Sequence, residues 1–253
     1  MRGTAGLAAW LLMACAPGPL SERRPWDFLK GEGARLRPRP RPPAVDGAPV
    51  GLQPLGLEAE RDGFLFIPSG YRPDRPVPLV VMLHGAGSSG MQGLGPFLDR
   101  ADDEGIALLG PDSRGPTWDV LRGGYGPDVA FLDRALDDVF GRYAVDGGRV
   151  AVEGFSDGAS YALGLGLANG DLFGKVIAFS PGFAPPGKPH GRPELFVSHG
   201  VADDVLPIDQ CSRRIVPALE GRGYEVRYRE FEGGHDIPPE IRDEALAWLF
   251  GRS

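Results

Sequence analysis

Four short clusters hold the residue types that nucleophilic attack on a carbonyl requires. Ser156 sits at the centre of Gly154-Phe155-Ser156-Asp157-Gly158. A G-x-S-x-G pattern is cheap in a chain with 39 glycines, so its surroundings decide its meaning. It directly follows an apolar run, Arg149–Val152, and precedes a helical pattern that continues to Ala168. A strand that turns sharply into a helix needs Gly on both sides of the turn, and it lifts the hydroxyl to the helix N-terminus, where developing negative charge is favoured. Ser156 is therefore the candidate nucleophile. His235, in Glu232-Gly233-Gly234-His235-Asp236, is the candidate base, with paired glycines that let its loop fold back. Asp203 or Asp204, in Ser198-His199-Gly200-Val201-Ala202-Asp203-Asp204, could accept from the imidazole N–H and stabilise the imidazolium. Adjacent residues in a turn point different ways, so only one of the two can do so. The fourth cluster is His84-Gly85-Ala86-Gly87-Ser88-Ser89-Gly90. Its glycines suit exposed backbone N–H groups, and the amides of Ala86 and Asp157 are the candidate donors to a tetrahedral oxyanion. His84, at the loop root, is read as a hydrogen bonder that organises the loop. A nucleotide phosphate loop would need a Gly-Lys-Ser/Thr ending, which is missing here.

The elements that must carry these clusters alternate along the chain. Gly63–Pro68, Val77–Leu83, Ile106–Leu109, Arg149–Val152, Lys175–Phe179, Glu194–Val197 and Glu225–Glu230 read as strands. The second is so uniformly apolar that both its faces must be covered. Val129, Leu132, Leu136, Val139 and Phe140 recur at helical spacing, and Pro238–Phe250 reads as a last helix stopped by Gly251. This alternation predicts an α/β fold, a mostly parallel central sheet flanked by helices. Ligands in such sheets bind at the carboxyl ends of strands, where all four clusters lie. Between Phe179 and Glu194 only fourteen residues remain, rich in Pro and Gly, so no helical cap or large cap domain is expected.

The order Ser156, then Asp203 or Asp204, then His235 is that of the α/β-hydrolases. Residues 60–250 resemble esterases of that superfamily, in particular the lidless polyhydroxybutyrate-depolymerase-like, feruloyl-esterase-like and carboxylesterase/acyl-thioesterase groups. The supporting pieces are Leu83-His84-Gly85-Ala86-Gly87, Asp128–Asp138, Gly154–Gly158, His199–Pro207 and Gly233–His235. In those relatives the pattern H-G-x-x-D-x-x-x-P carries the acid at its fifth position, which implies Asp203 here. The segment Asp112–Asp119 is also similar to the depolymerase and feruloyl branch, where an aromatic lies near the substrate groove. Asp157 departs from the Asn, Gln or His often found after the nucleophile. The resemblance implies a serine esterase acting on small or polymeric esters without metal or organic cofactor. A serine peptidase or thioesterase is the alternative on the same scaffold, and a non-catalytic exported lipoprotein is the alternative from another class.

Composition bounds the rest. With 42% hydrophobic and 24% charged residues the chain reads as globular. Residues 1–45 carry +5 and the remainder −12, so an acidic body excludes nucleic acid as a natural partner. Residues 1–15 look like a secretory signal, a basic start followed by an apolar run too short to span a bilayer. Leu12-Met13-Ala14-Cys15 resembles the lipobox of bacterial lipoproteins, so Cys15 is a candidate lipidation and membrane-attachment site on a protein of the cell envelope or outside it. Cys211 would then be a lone, half-buried thiol on a helix. Residues 16–48 read as a Pro/Arg-rich tether, with Arg35, Arg37, Arg39 and Arg41 alternating among prolines. The catalytic domain is expected over 49–253.

Overall fold

The computed structural model describes residues 33–44, 47–185 and 187–252. Its strands are β1 (Gly51–Pro54), β2 (Gly63–Ile67), β3 (Val77–Leu83), β4 (Ala107–Pro111), β5 (Val145–Phe155), β6 (Lys175–Phe179), β7 (Glu194–Gly200) and β8 (Val226–Phe231). They form one sheet in the order β1-β2-β4-β3-β5-β6-β7-β8. β1 and β2 pair antiparallel at one edge, and the run from β4 to β8 is parallel. The helices are α1 (Gly90–Leu94), α2 (Leu98–Glu104), α3 (Pro127–Arg142), α4 (Asp157–Ala168), α5 (Ser212–Glu220) and α6 (Pro239–Leu249).

Alternation along the central strands explains the two cores. Val77, Leu79, Val81 and Leu83 of β3 face one side with Val150, Val152, Val176, Leu195 and Val197, where α3, α4 and α5 cover them. Val80 and Met82 face the other side with Ile177, Phe179 and Phe196, beneath α1, α2 and α6. Fully apolar strands are thus stable because both faces exclude water. No helix interrupts 180–193 among the described residues, and the fold is a mostly parallel α/β sheet flanked by helices. Among the described residues no helix is long and apolar enough to cross a membrane. Cys211 is fully buried at the start of α5, more enclosed than the sequence suggests.

The structure corrects the extent of the tether. Residues 33–44 are extended, as their prolines dictate, but they lie on the domain. Every residue of α4 is buried, including the side turned away from the sheet, because Ala, Leu, Gly and Tyr run all round it. Ala34 and Leu36 are part of that enclosure, each 1% exposed. The buried Asn169, just past α4, accepts from Leu36 N–H (2.8 Å) and donates to the carbonyls of Ala34 (2.8 Å) and Leu165 (2.9 Å). Asp171 pairs with Arg35 and Arg39, and these guanidinium groups hold its carboxyl well below the usual range. Arg41 pairs with Asp137 on α3 at 2.9 Å. The domain therefore begins at least as early as Gly33. Cys15 and the leader-like residues 1–15 lie outside the described residues.

A second buried polar network shapes the loop between β4 and α3. Asp119 accepts from Gly126 and Asp128 N–H groups and from the Tyr161 hydroxyl (2.9, 2.8 and 3.0 Å). Asp128 in turn accepts from Asp119 N–H (2.6 Å) and Arg114 N–H. Burial, reinforced by the neighbouring Asp119 charge, pushes the Asp128 carboxyl up to about 6 despite these donors.

Two outcomes follow for stability. Asn169→Ala leaves the Leu36 N–H and Ala34 carbonyl without partners, and should cost roughly 2–3 kcal/mol in a urea titration while exposing residues 33–44 to protease. Because the folded Asp128 binds its proton more tightly than the unfolded chain does, its contribution favours folding at low pH and is lost as pH rises from the ordinary 3.8 through about 6. Denaturation of wild type and Asp128→Asn at pH 4 and pH 6.5 should show a stability difference that changes by on the order of 2 kcal/mol over this window. Parallel pH curves would contradict it.

Candidate functional site

Ser156 occupies the turn from β5 into α4 with φ 57° and ψ −118°, a conformation that costs a non-glycine residue free energy. Backbone bonds hold it there. Its N–H donates to Phe179 O at 2.9 Å, and its carbonyl accepts from Ser160 N–H at 3.1 Å. The flanking glycines are steric necessities. A Cβ on Gly154 would lie 2.2 Å from Gly158 O, and one on Gly158 would lie 1.9 Å from Leu83 O. The same closeness brings the end of β3 to the serine: a Cβ on Gly85 would be 3.6 Å from Ser156 Cβ. The Ala86 and Asp157 amides flank this junction, and neither N–H meets a protein acceptor among the described residues.

The loop that carries Ala86 is fastened from below. His84 is buried; its Nδ1 lies 2.7 Å from Gly85 O, and its Nε2 accepts from Ser113 N–H at 3.0 Å, which fixes the proton on Nδ1. Burial lowers its affinity for a second proton. Trp118 donates its indole N–H to His84 O at 2.8 Å, and Gly87 N–H reaches Pro116 O at 2.7 Å. His84 is thus the loop organiser that the sequence suggests. Trp118 differs from expectation. The aromatic of segment 112–119 is not a groove residue but is 1% exposed, stacked on Tyr161 with ring centroids 5.0 Å apart. Its indole N–H finds an acceptor only inside the loop stack, which draws the ring in.

At the other strand ends, the acid and imidazole clusters meet. His235 Nδ1 lies 2.7 Å from Asp203 Oδ2, and its ring sits 4.7 Å from that of Phe155, the residue before Ser156. Of the two adjacent acids, Asp203 is buried and Asp204 is exposed. Asp203 Oδ1 accepts from Val205 N–H (2.9 Å) and Leu206 N–H (2.7 Å). Burial alone would raise this carboxyl, but hydrogen bonds from His199, His235 and Leu206 N–H, with the His235 charge, hold it well below the usual range. Close backbone approach again sets the geometry, because a Cβ on Gly200 would fall 2.2 Å from Gly234 O. His190 stands elsewhere, exposed near Asp171.

Three neighbours were not singled out from sequence. Thr117 donates to Asp157 Oδ2 at 2.5 Å, while Asp157 Oδ1 is buried without a partner, and burial pushes that carboxyl up. Ser160 Oγ accepts from Gly182 N–H (3.0 Å) and so ties the 180–193 segment to the serine turn. His199, fully buried, lies 3.1 Å from Asp203 Oδ2. Only His199 left a trace, since it heads the pattern that contains Asp203. Among the described residues no group of three or more His, Cys, Asp or Glu is arranged to hold a metal ion.

No family model matches the chain. Feruloyl esterase C of Emericella nidulans is 29% identical over 157 residues, which are 59% of this chain and 57% of that protein. A bifunctional acetylxylan esterase/xylanase of Neocallimastix patriciarum is 30% identical over 162 residues, 60% of this chain and 23% of that protein. The chain thus spans little more than half the length of one of these relatives and about a quarter of the other. Among solved structures, esterase PE8 superposes with a TM-score of 0.62 at 24% identity, covering 76% of this chain and 98% of that one. By its sheet, its flanking helices and this superposition, the chain has the α/β-hydrolase fold, and the curated proteins it is similar to carry esterase in their names.

Proposed function

We propose that the protein is a serine esterase in which Ser156, His235 and Asp203 form the triad. The observation that carries this is the 2.7 Å pair between Asp203 Oδ2 and His235 Nδ1, with the imidazole beside Phe155 at the serine turn. The pair fixes the Nδ1–H tautomer, which leaves Nε2 to accept the Ser156 proton. Ser156 Oγ attacks the ester carbonyl carbon, and the carbonyl electrons move onto oxygen. The N–H groups of Ala86 and Asp157 donate to that oxyanion, supported by the positive end of α4. Collapse breaks the C–O bond to the alcohol, which leaves with the proton carried by His235. Water, deprotonated by the same imidazole, then attacks the acyl-enzyme and releases the acid.

Among the described residues no helix crosses 180–193, which supports an open mouth, suited to short acyl esters or to ester groups protruding from a polymer rather than to lipid within a bilayer. The leader-like residues 1–15 favour export, with the protein either lipid-anchored through Cys15 or secreted. Both curated relatives carry esterase in their names, which favours esters over peptides and thioesters.

Ser156→Ala should lower turnover of p-nitrophenyl butyrate by about 10³-fold or more and abolish labelling by a fluorophosphonate, with the melting temperature little changed. Turnover surviving in the purified variant would reject the nucleophile. A parallel panel of acyl esters, thioesters and aminoacyl anilides should rank the esters first; preference for either other group would move the assignment to a thioesterase or peptidase.

A further inference from the structure

Behind the acid of the proposed triad lies a second imidazole that the mechanism above does not use. His199 is the penultimate residue of β7, and neither its side chain nor that of Asp203 has any exposed surface. Its Nε2 is 2.7 Å from Leu206 O and 3.1 Å from Asp203 Oδ2. Both partners can only accept, so the proton resides on Nε2. Its Nδ1 is 2.7 Å from Ser212 Oγ, the first residue of α5, whose hydroxyl donates to the neutral ring. Asp203 consequently faces four N–H groups, two on Oδ1 from Val205 and Leu206 and two on Oδ2, from His235 at 2.7 Å and from His199 at 3.1 Å, whose N–H has Leu206 O as its nearer acceptor. The other charged group beside the ring is Glu230, its register partner on β8, which is itself paired with Arg213 of α5 at 2.6 Å.

We propose that His199 is a positioning residue for Asp203, and that the Ser212–His199 pair sets how strongly Asp203 holds the catalytic imidazole. The role presupposes that Ser156, Asp203 and His235 form the triad. Two N–H groups share Oδ2, so each receives only part of its charge. His199 fixes the carboxylate plane from the buried side and moderates its pull on His235. Without that donor, the whole of Oδ2 faces His235. The imidazolium then gains stability, and the carboxylate loses one of the contacts that orient it.

The test uses His199→Phe, which keeps a ring without donors, His199→Gln, whose amide N–H reaches the Nε2 position, and Ser212→Ala, which frees Nδ1. For each, p-nitrophenyl butyrate hydrolysis is followed across pH together with thermal melting. His199→Phe should lower kcat by about 10-fold or more with KM within about twofold, and shift the acid limb of kcat/KM upward by at least about half a pH unit. His199→Gln should recover most of both, and Ser212→Ala should shift the limb in the same direction by a smaller amount. Folded His199→Phe with an unmoved limb and kcat overturns the role, as do Phe and Gln variants equally impaired in step with lost melting temperature. If His199→Phe does not fold, an unmoved limb in Ser212→Ala overturns it. Ser156→Ala separates the two levels. Turnover retained there removes the triad itself, whereas an inactive Ser156→Ala beside unaltered His199 variants removes only this role.

Discussion

The arrangement rests on a steric constraint at the end of β5. The strand passes into α4 so tightly that Gly154 and Gly158 press backbone against backbone, and Gly158 also touches the last carbonyl of β3. No side chain fits at either place. That contact fastens the serine turn to the neighbouring strand, and with it to the loop bearing the Ala86 amide. Ser156 pays for its position with a left-handed φ, a local cost of roughly 1–3 kcal/mol that only over-determined surroundings sustain. Those surroundings are the hydrogen bonds to Phe179 and Ser160 and the burial of α4 on all its sides.

The same device recurs two strands away. Gly200 has no room for a side chain because the carbonyls of Gly233 and Gly234 pack onto it, so the acid loop and the imidazole loop are stacked as one unit. β5 and β7 are separated only by β6, about 10 Å in strand spacings. The glycine-paired loop after β8 folds back far enough to set the His235 ring against Phe155. A parallel sheet supplies the spacing, and two close backbone approaches supply the fine adjustment.

Most of this was legible in the sequence because it depends on local signals. Runs such as Val77–Leu83 announce strands covered on both faces, and each chemical cluster directly follows such a run. What escaped depended on distance or on weak patterning. β1 and the helices over 90–104 are short and rich in Gly and polar residues, so their periodicity is faint. β5 begins at Val145, ahead of an Asp-Gly-Gly that reads as a turn. Residues 33–44 carry the composition of a linker, and their partners Asp133, Asp137, Asn169 and Asp171 stand about a hundred residues away. Trp118 and His199 are misread or missed for a related reason. Whether an aromatic or a histidine lines a groove or fills a core depends on which backbone carbonyl lies opposite, and sequence does not show that.

The docking of residues 33–44 also fixes where the polypeptide enters the body. Ala34 is held by Asn169, at the far end of α4 from Ser156, about 20 Å along the helix axis. The described chain therefore starts, at Gly33, on the flank built by α3 and α4 rather than at the Ser156 end of α4. A cut or a fusion at Gly33 would therefore load that flank, about 20 Å along α4 from the serine.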